Sequence, residues 1–130
     1  MKGFRTAIVT GSVVALMATA VAAEAAEVRV RCDYRAGARE RTKVSVDAKD
    51  LAGGDYQASV DGVLSPVQTV TPPADEFEAD FDSNPANVRA GATAIPASAG
   101  RDGVSVVMSG PDVSLSLLLP CPGQVTQITP

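Results

Sequence analysis

The chain has 130 residues, a formal charge of −4, and neither histidine nor tryptophan. That length allows one domain and not two. The acidic balance speaks against a nucleic-acid partner. Without imidazole there is no Ser-His-Asp or Cys-His pair and no histidine-based zinc site.

Lys2 and Arg5 precede an uncharged apolar run from Thr6 to Ala23 that ends in small residues. This is the layout of a secretory signal peptide. Ala-x-Ala patterns end at Ala22 and at Ala25, and the second is preferred, giving a signal over residues 1–25 and a single domain over 26–130. An uncleaved anchor is the alternative. The run falls short of the roughly 20 apolar residues a spanning helix needs, and Thr10, Gly11 and Ser12 interrupt it. The expectation is a periplasmic or secreted protein with no membrane span after cleavage.

The expected strands in chain order are Val28–Arg35, Thr42–Ala48, Tyr56–Val60, Val63–Val70, Glu76–Asp82, Ala92–Ile95, Gly103–Met108 and Val113–Leu119. Each alternates apolar and polar residues with the period of a half-buried strand. Val44–Val60 reads as two such strands around Gly53-Gly54, whose glycines suit the positive φ of a tight reversal. Asp61-Gly62 is a strong hairpin signal, and Ser109-Gly110-Pro111-Asp112 makes another turn. In SNPANVRAG, Ser83 or Asn84 can cap a short helical turn, with Pro85 first and Gly91 after its end. Many short strands with Gly and Pro turns predict an all-β fold, an antiparallel β-sandwich or small barrel.

Two cysteines remain after signal cleavage, Cys32 in the first strand and Cys121 after the last apolar run. An even cysteine count in an exported chain points to a disulfide. Cys32 shares parity with Val28 and Val30, and Cys121 with Leu117 and Leu119, so both thiols should face the core. A redox pair would space its cysteines more closely, and a metal site needs more ligands.

Leu51-Ala-Gly-Gly-Asp-Tyr56 resembles the L-x-P-G-x-Y turn of immunoglobulin-like and fibronectin-like modules, with Ala52 for the proline and one extra residue before the tyrosine. The resemblance implies a buried Tyr56 whose hydroxyl bonds to nearby backbone at a sheet corner, and an immunoglobulin-like form of the sandwich. KVSVDAKDLAGGDYQASV, EFEADFDSNPANVRAGATAI and the terminal cysteine strand together look like a group of small exported bacterial proteins to which no activity is assigned.

Charge is segregated. Seven basic residues lie between Arg29 and Lys49, whereas Asp50–Val88 holds eight acidic residues and no basic one. Glu76, Glu78, Asp80 and Asp82 share one strand face, expected to point to solvent, with Phe77 and Phe81 on the other. Arg29 and Arg31 could pair with that acidic face across strands. Asp80-x-Asp82-x-Asn84 also has the spacing that opens a calcium loop, but Pro85 and Gly91 occupy the positions an EF-hand needs for glycine and glutamate. A calcium site of another kind would use Asp80, Asp82, Asn84 and Asn87.

A carboxylate pair for glycoside chemistry is formally available, but the few aromatic residues offer little platform for a sugar. No glycine loop sits between a strand and a long helix to hold a nucleotide. Two readings follow. One is a non-enzymatic exported β-sandwich that binds a protein or surface through a sheet edge or loop. The other is a small calcium-binding or calcium-stabilised module.

Overall fold

The computed structural model describes residues 25–129, so the expected signal segment lies outside the described residues except for Ala25. Ten strands and one short helix follow: β1 Glu27–Arg35, β2 Arg41–Lys49, β3 Gly54–Val60, β4 Val63–Leu64, β5 Gln68–Val70, β6 Phe77–Asp82, α1 Pro85–Arg89, β7 Thr93–Ala94, β8 Val104–Gly110, β9 Val113–Leu119 and β10 Gly123–Ile128. They form two five-stranded sheets. Sheet I runs β9-β8-β3-β4, with β5 also paired to β3, and sheet II runs β10-β1-β2-β6-β7. All pairings are antiparallel except β6 with β7.

Alternation decides which side chains meet between the sheets. Sheet II turns in Val28, Val30 and Cys32 from β1, Val44, Val46 and Ala48 from β2, and Phe77, Ala79 and Phe81 from β6. Sheet I contributes Tyr56, Ala58 and Val60, then Val104, Val106 and Met108, then Val113, Leu115 and Leu119. These residues form one buried cluster. Phe77 and Phe81 each gain about 2–3 kcal/mol from that burial.

The two strands of Val44–Val60 both form, but they do not pair. β2 lies in sheet II and β3 in sheet I, so Leu51–Gly53 carries the chain between sheets. Gly54 has φ +143° and Asp50 φ +62°, while Gly53 is not among the positive-φ residues. The tyrosine turn forms as expected. Tyr56 and Leu51 are buried, and the Tyr56 hydroxyl lies 2.7 Å from the Ala52 carbonyl. Its single proton serves two acceptors, because Asp112 Oδ1 is 2.5 Å away. Asp112 Oδ2 accepts the Ala52 N–H at 3.1 Å, tying this corner to the β8–β9 turn. A Cβ at Gly110 would collide with the Tyr56 ring, so only glycine fits there.

Asp61 and Gly62 take φ +50° and +84°, the positive pair that a two-residue hairpin requires. The strand expected over Val63–Val70 is split. Ser65 Oγ accepts the Ala58 N–H at 3.1 Å, and Pro66 has no N–H to continue the ladder, so β4 ends and β5 begins afresh. Asn84 caps α1 through the Ala86 N–H at 2.9 Å, Pro85 is the first helical residue, and Gly91 follows with φ +120°.

Cys32 and Cys121 are bonded, with Cα atoms 5.1 Å apart. Cys121 is not in the last strand, however. The chain turns at Pro120–Pro122 and adds β10, which pairs along β1 from Cys32 to Glu27. Cys32 is fully buried and Cys121 only partly so.

Candidate functional site

On β6 the alternation holds until its last residue. Glu76 and Glu78 are exposed and Asp80 is half-buried, with Phe77, Ala79 and Phe81 inward. Asp82 departs from the expected solvent face, with 1 % of its surface accessible. The reason is a counter-charge the linear pattern does not show. Arg41, at the start of β2, places Nε 3.1 Å from Asp82 Oδ1 and Nη2 2.8 Å from Oδ2, a bidentate fork. The Asn84 N–H donates to Oδ1 at 2.8 Å and Asn87 Nδ2 to Oδ2 at 2.7 Å. Burial by itself would raise the Asp82 pKa. The Arg41, Asn87 and Asn84 donors outweigh it and hold the carboxyl down to about 2.

Of the four residues considered for calcium, Asp82, Asn84 and Asn87 thus come together, but around a guanidinium. Both oxygens of Asp82 already receive N–H donors, and Asn84 Oδ1 accepts from Ala86. Asp80 takes no part in that network: it lies opposite Ser45 on the outer face and lines a cleft with Lys43, Asp82 and Asn87. This donor set does not fit a hard cation that needs six to eight free oxygens. Among the described residues, no group of three or more acidic or cysteine side chains converges as a metal site.

Arg29 and Arg31 do not pair with the acidic strand, because β2 lies between β1 and β6. Arg31 Nε is instead 3.3 Å from Asp33 of its own strand. On the outer face of sheet II the register aligns Thr126, Arg29, Asp47 and Glu78 in one row and Gln124, Arg31, Ser45 and Asp80 in the next. A shallow cleft of about 520 Å³ opens where Arg29, Asp47, Lys49 and Glu78 meet Glu27 and Glu76. Burial and then the Asp80 charge raise the pKa of Asp47, against the pull of Arg29. Four carboxylates and two cations line the cleft, and one ion pair spans it, Lys49 with Glu27 at 3.8 Å.

Sheet I presents different chemistry outside. Its rows are Ser116, Val107, Ser59 and Leu64, then Ser114, Ser109 and Gln57, then Leu118 and Ser105. None of these side chains is charged; the one carboxylate on this face is Asp55, at the start of β3, which accepts a hydrogen bond from Thr69 Oγ1 at 2.6 Å.

The edges differ as well. At one flank the sheets end in β4, β5 and β7, of two or three residues each. At the other flank they end in β9 and β10, of seven and six residues. These two long edges belong to the same flank of the two sheets and approach one another beside the short Pro120–Pro122 turn that joins them. Both come from Val113–Pro130, a segment without a single Asp, Glu, Lys or Arg. Leu118 is 83 % exposed and Ile128 57 % exposed, and inside the edge Leu117 and Val125 are only partly covered. Among the described residues β9 pairs only with β8 and β10 only with β1. Every second N–H and C=O of each therefore faces outward unpaired. The sequence carried this signal in its uncharged terminal stretch, which the strand pattern alone does not reveal.

Comparison with protein-family models, with curated proteins and with solved structures yields no match to this chain.

Proposed function

We propose that the chain is an exported, non-enzymatic immunoglobulin-like β-sandwich that docks protein along its β9/β10 flank. The observation that carries this is the pair of long, uncharged, unpaired edge strands. Monomeric β-proteins blunt such edges with lysine, proline, bulges or short strands, because a bare edge templates another strand. Here the opposite flank is blunted by short strands and this one is not. An added strand would gain main-chain hydrogen bonds, with selectivity from alternate side chains.

Strand order supports the immunoglobulin-like reading. β1-β2-β6 facing β9-β8-β3-β4 follows the order A-B-E facing G-F-C-C′. The bridge departs from that pattern, since it ties β1 to the residues after β9 rather than the B and F positions. The apolar run Thr6–Ala23 after Lys2 and Arg5, together with the Cys32–Cys121 bond, supports export to an oxidising compartment. The calcium alternative draws no support from the acidic strand, where Arg41 already answers Asp82.

Site-specific photo-cross-linking in the producing cells tests the reading. A photo-activatable residue in place of Leu118 should yield a protein adduct, and one in place of Leu64 should not. Absence of an adduct at Leu118, or equal adducts at both positions, would sink it.

A further inference from the structure

We infer that the partner on this flank is a second copy of the chain, joined about a two-fold axis normal to the sheets so that both sheets run on from one molecule into the next. This inference rests on the docking reading above and goes further by naming the occupant. Three observations lead to it.

The first is charge. Two copies that each carry −4 repel wherever acidic surfaces meet. Neither edge strand carries an ionisable side chain, so like molecules meet there without charges directly opposed, the nearest ions being Arg29 and Arg31 one strand in from β10.

The second is register. Antiparallel self-pairing keeps inward residues inward only if the paired numbers share parity. Centring β9 on Ser116 satisfies this throughout. Ser116 meets its own copy, Leu115 meets Leu117, Ser114 meets Leu118, and Val113 meets Leu119. Buried and half-buried residues then oppose one another on the core side, and Ser114 and Leu118 on the outer face.

The third is the geometry of the two edges. An antiparallel pair within a sheet is related by an axis perpendicular to that sheet. Stacked sheets keep their strands within about 30° of each other, so one axis can serve both β9 and β10, which end their sheets on the same flank and are joined by the turn at Pro120–Pro122. Pairing both edges would also cover the half-exposed Leu117 and Val125 on the open side of the core. Seven and six edge residues fall short of the roughly 20–30 residues a side of a standard interface. The dimer is therefore weak, with a Kd in the micromolar range.

Sedimentation of the protein purified from its producing cells, from about 1 to about 200 µM, brackets that range and should show a monomer passing to a dimer. Ser116 is exposed, so a charge there spares the fold, which a circular-dichroism melt verifies. Ser116→Lys and Ser116→Glu, each alone, should stay monomeric, because like charges would stand directly opposite across the axis. An equimolar mixture of the two should associate again and dissociate in high salt. Leu64→Lys, on the far flank, should sediment as the unsubstituted protein does.

A protein that stays monomeric throughout overturns the inference. So does a dimer indifferent to Ser116→Lys, or a mixture of the two variants that fails to associate. If the protein is monomeric while Leu118 still cross-links to a different protein, the second copy is wrong and the docking reading stands. If Leu118 yields no adduct at all, both fall.

Discussion

Across the outside of sheet II, the row Thr126, Arg29, Asp47 and Glu78 carries charge on three of its four strands. The corresponding row outside sheet I, Ser116, Val107, Ser59 and Leu64, carries none. Both faces are made by the same strand alternation, and both cover the same core. Folding therefore requires only that outward residues tolerate water, and it does not select between ions and hydroxyls. Outside sheet I the one charge within the strands is Asp55, at the start of β3 opposite Thr69; the scarcity of charge toward the β9 edge is what the proposed association would require. On the charged face the direct ion pairs are local, Arg31 with Asp33 and Lys49 with Glu27.

The comparison can be pressed hardest at the link between the two sheets. The Cys32–Cys121 bond joins β1 of sheet II to the residues following β9 of sheet I, across 89 residues. Closing a loop of that length constrains the unfolded chain by about 4–5 kcal/mol in the chain-entropy account. Reduction should lower the denaturation midpoint accordingly. Titration of the unfolded, unreduced protein should find no free thiol, and two per chain would show that the link does not form.

The next largest effect separates the one buried ion on the charged face from its exposed neighbours. Asp82→Asn should cost about 2–3 kcal/mol, because it leaves the Arg41 fork without its counter-charge, whereas Glu78→Gln should stay within about 0.5 kcal/mol. Chemical denaturation of both variants measures the difference. The pH dependence follows from the depressed carboxyl. Asp82 contributes its stability fully above the ordinary carboxylate range near pH 4 and loses it as the pH falls through about 2. Protonation should remove about 2 kcal/mol over that window. Asp82→Asn should flatten this part of the curve, and an unchanged acid limb would show that other carboxylates set it.

The corner between the sheets gives a smaller effect. Burial and then the Asp112 hydrogen bond push the Tyr56 hydroxyl above its ordinary pKa, so it remains a neutral donor. Tyr56→Phe should cost about 0.5–1.5 kcal/mol, the net value of one hydrogen bond. An unaltered melt would reduce the residue to ring packing. Smallest of all should be Ser109→Lys in the middle of the neutral face, within about 0.5 kcal/mol in the monomer. A larger loss would mean that neutrality there serves folding after all.

Most of the strand pattern is legible in the sequence, because Val28/Val30/Cys32, Val44/Val46/Ala48 and Phe77/Ala79/Phe81 repeat with period two and face one core. Pairing is not legible. β2 and β3 are neighbours in sequence, yet the choice between folding back and crossing to the other sheet depends on partners far along the chain. The burial of Asp82 is not legible for a related reason. Its burial depends on Arg41, forty-one residues earlier, and on Asn87 in a turn that a strand pattern does not describe. β10 is not legible in the sequence, because Pro120, Pro122 and Gly123 resemble an ending and QVTQI has only two apolar residues. The flank itself is visible in composition, as a terminal stretch without charge, but acquires meaning only once both of its strands prove to be edges.

The position of the Cys32–Cys121 bond also determines how the molecule would bear tension. Thr129 donates its N–H to the Ala26 carbonyl at 2.8 Å, so the two ends of the described chain leave side by side. A pull on those ends loads β1 as far as Cys32, crosses the sulfur bridge, and returns through β10. The strands from β2 to β9 lie inside the covalent loop and carry no load. Parting β1 from β10 pair by pair would release about 50 Å of chain, at 3.3–3.6 Å per residue, and there the extension would stop, with the rest of the fold held slack behind the bridge.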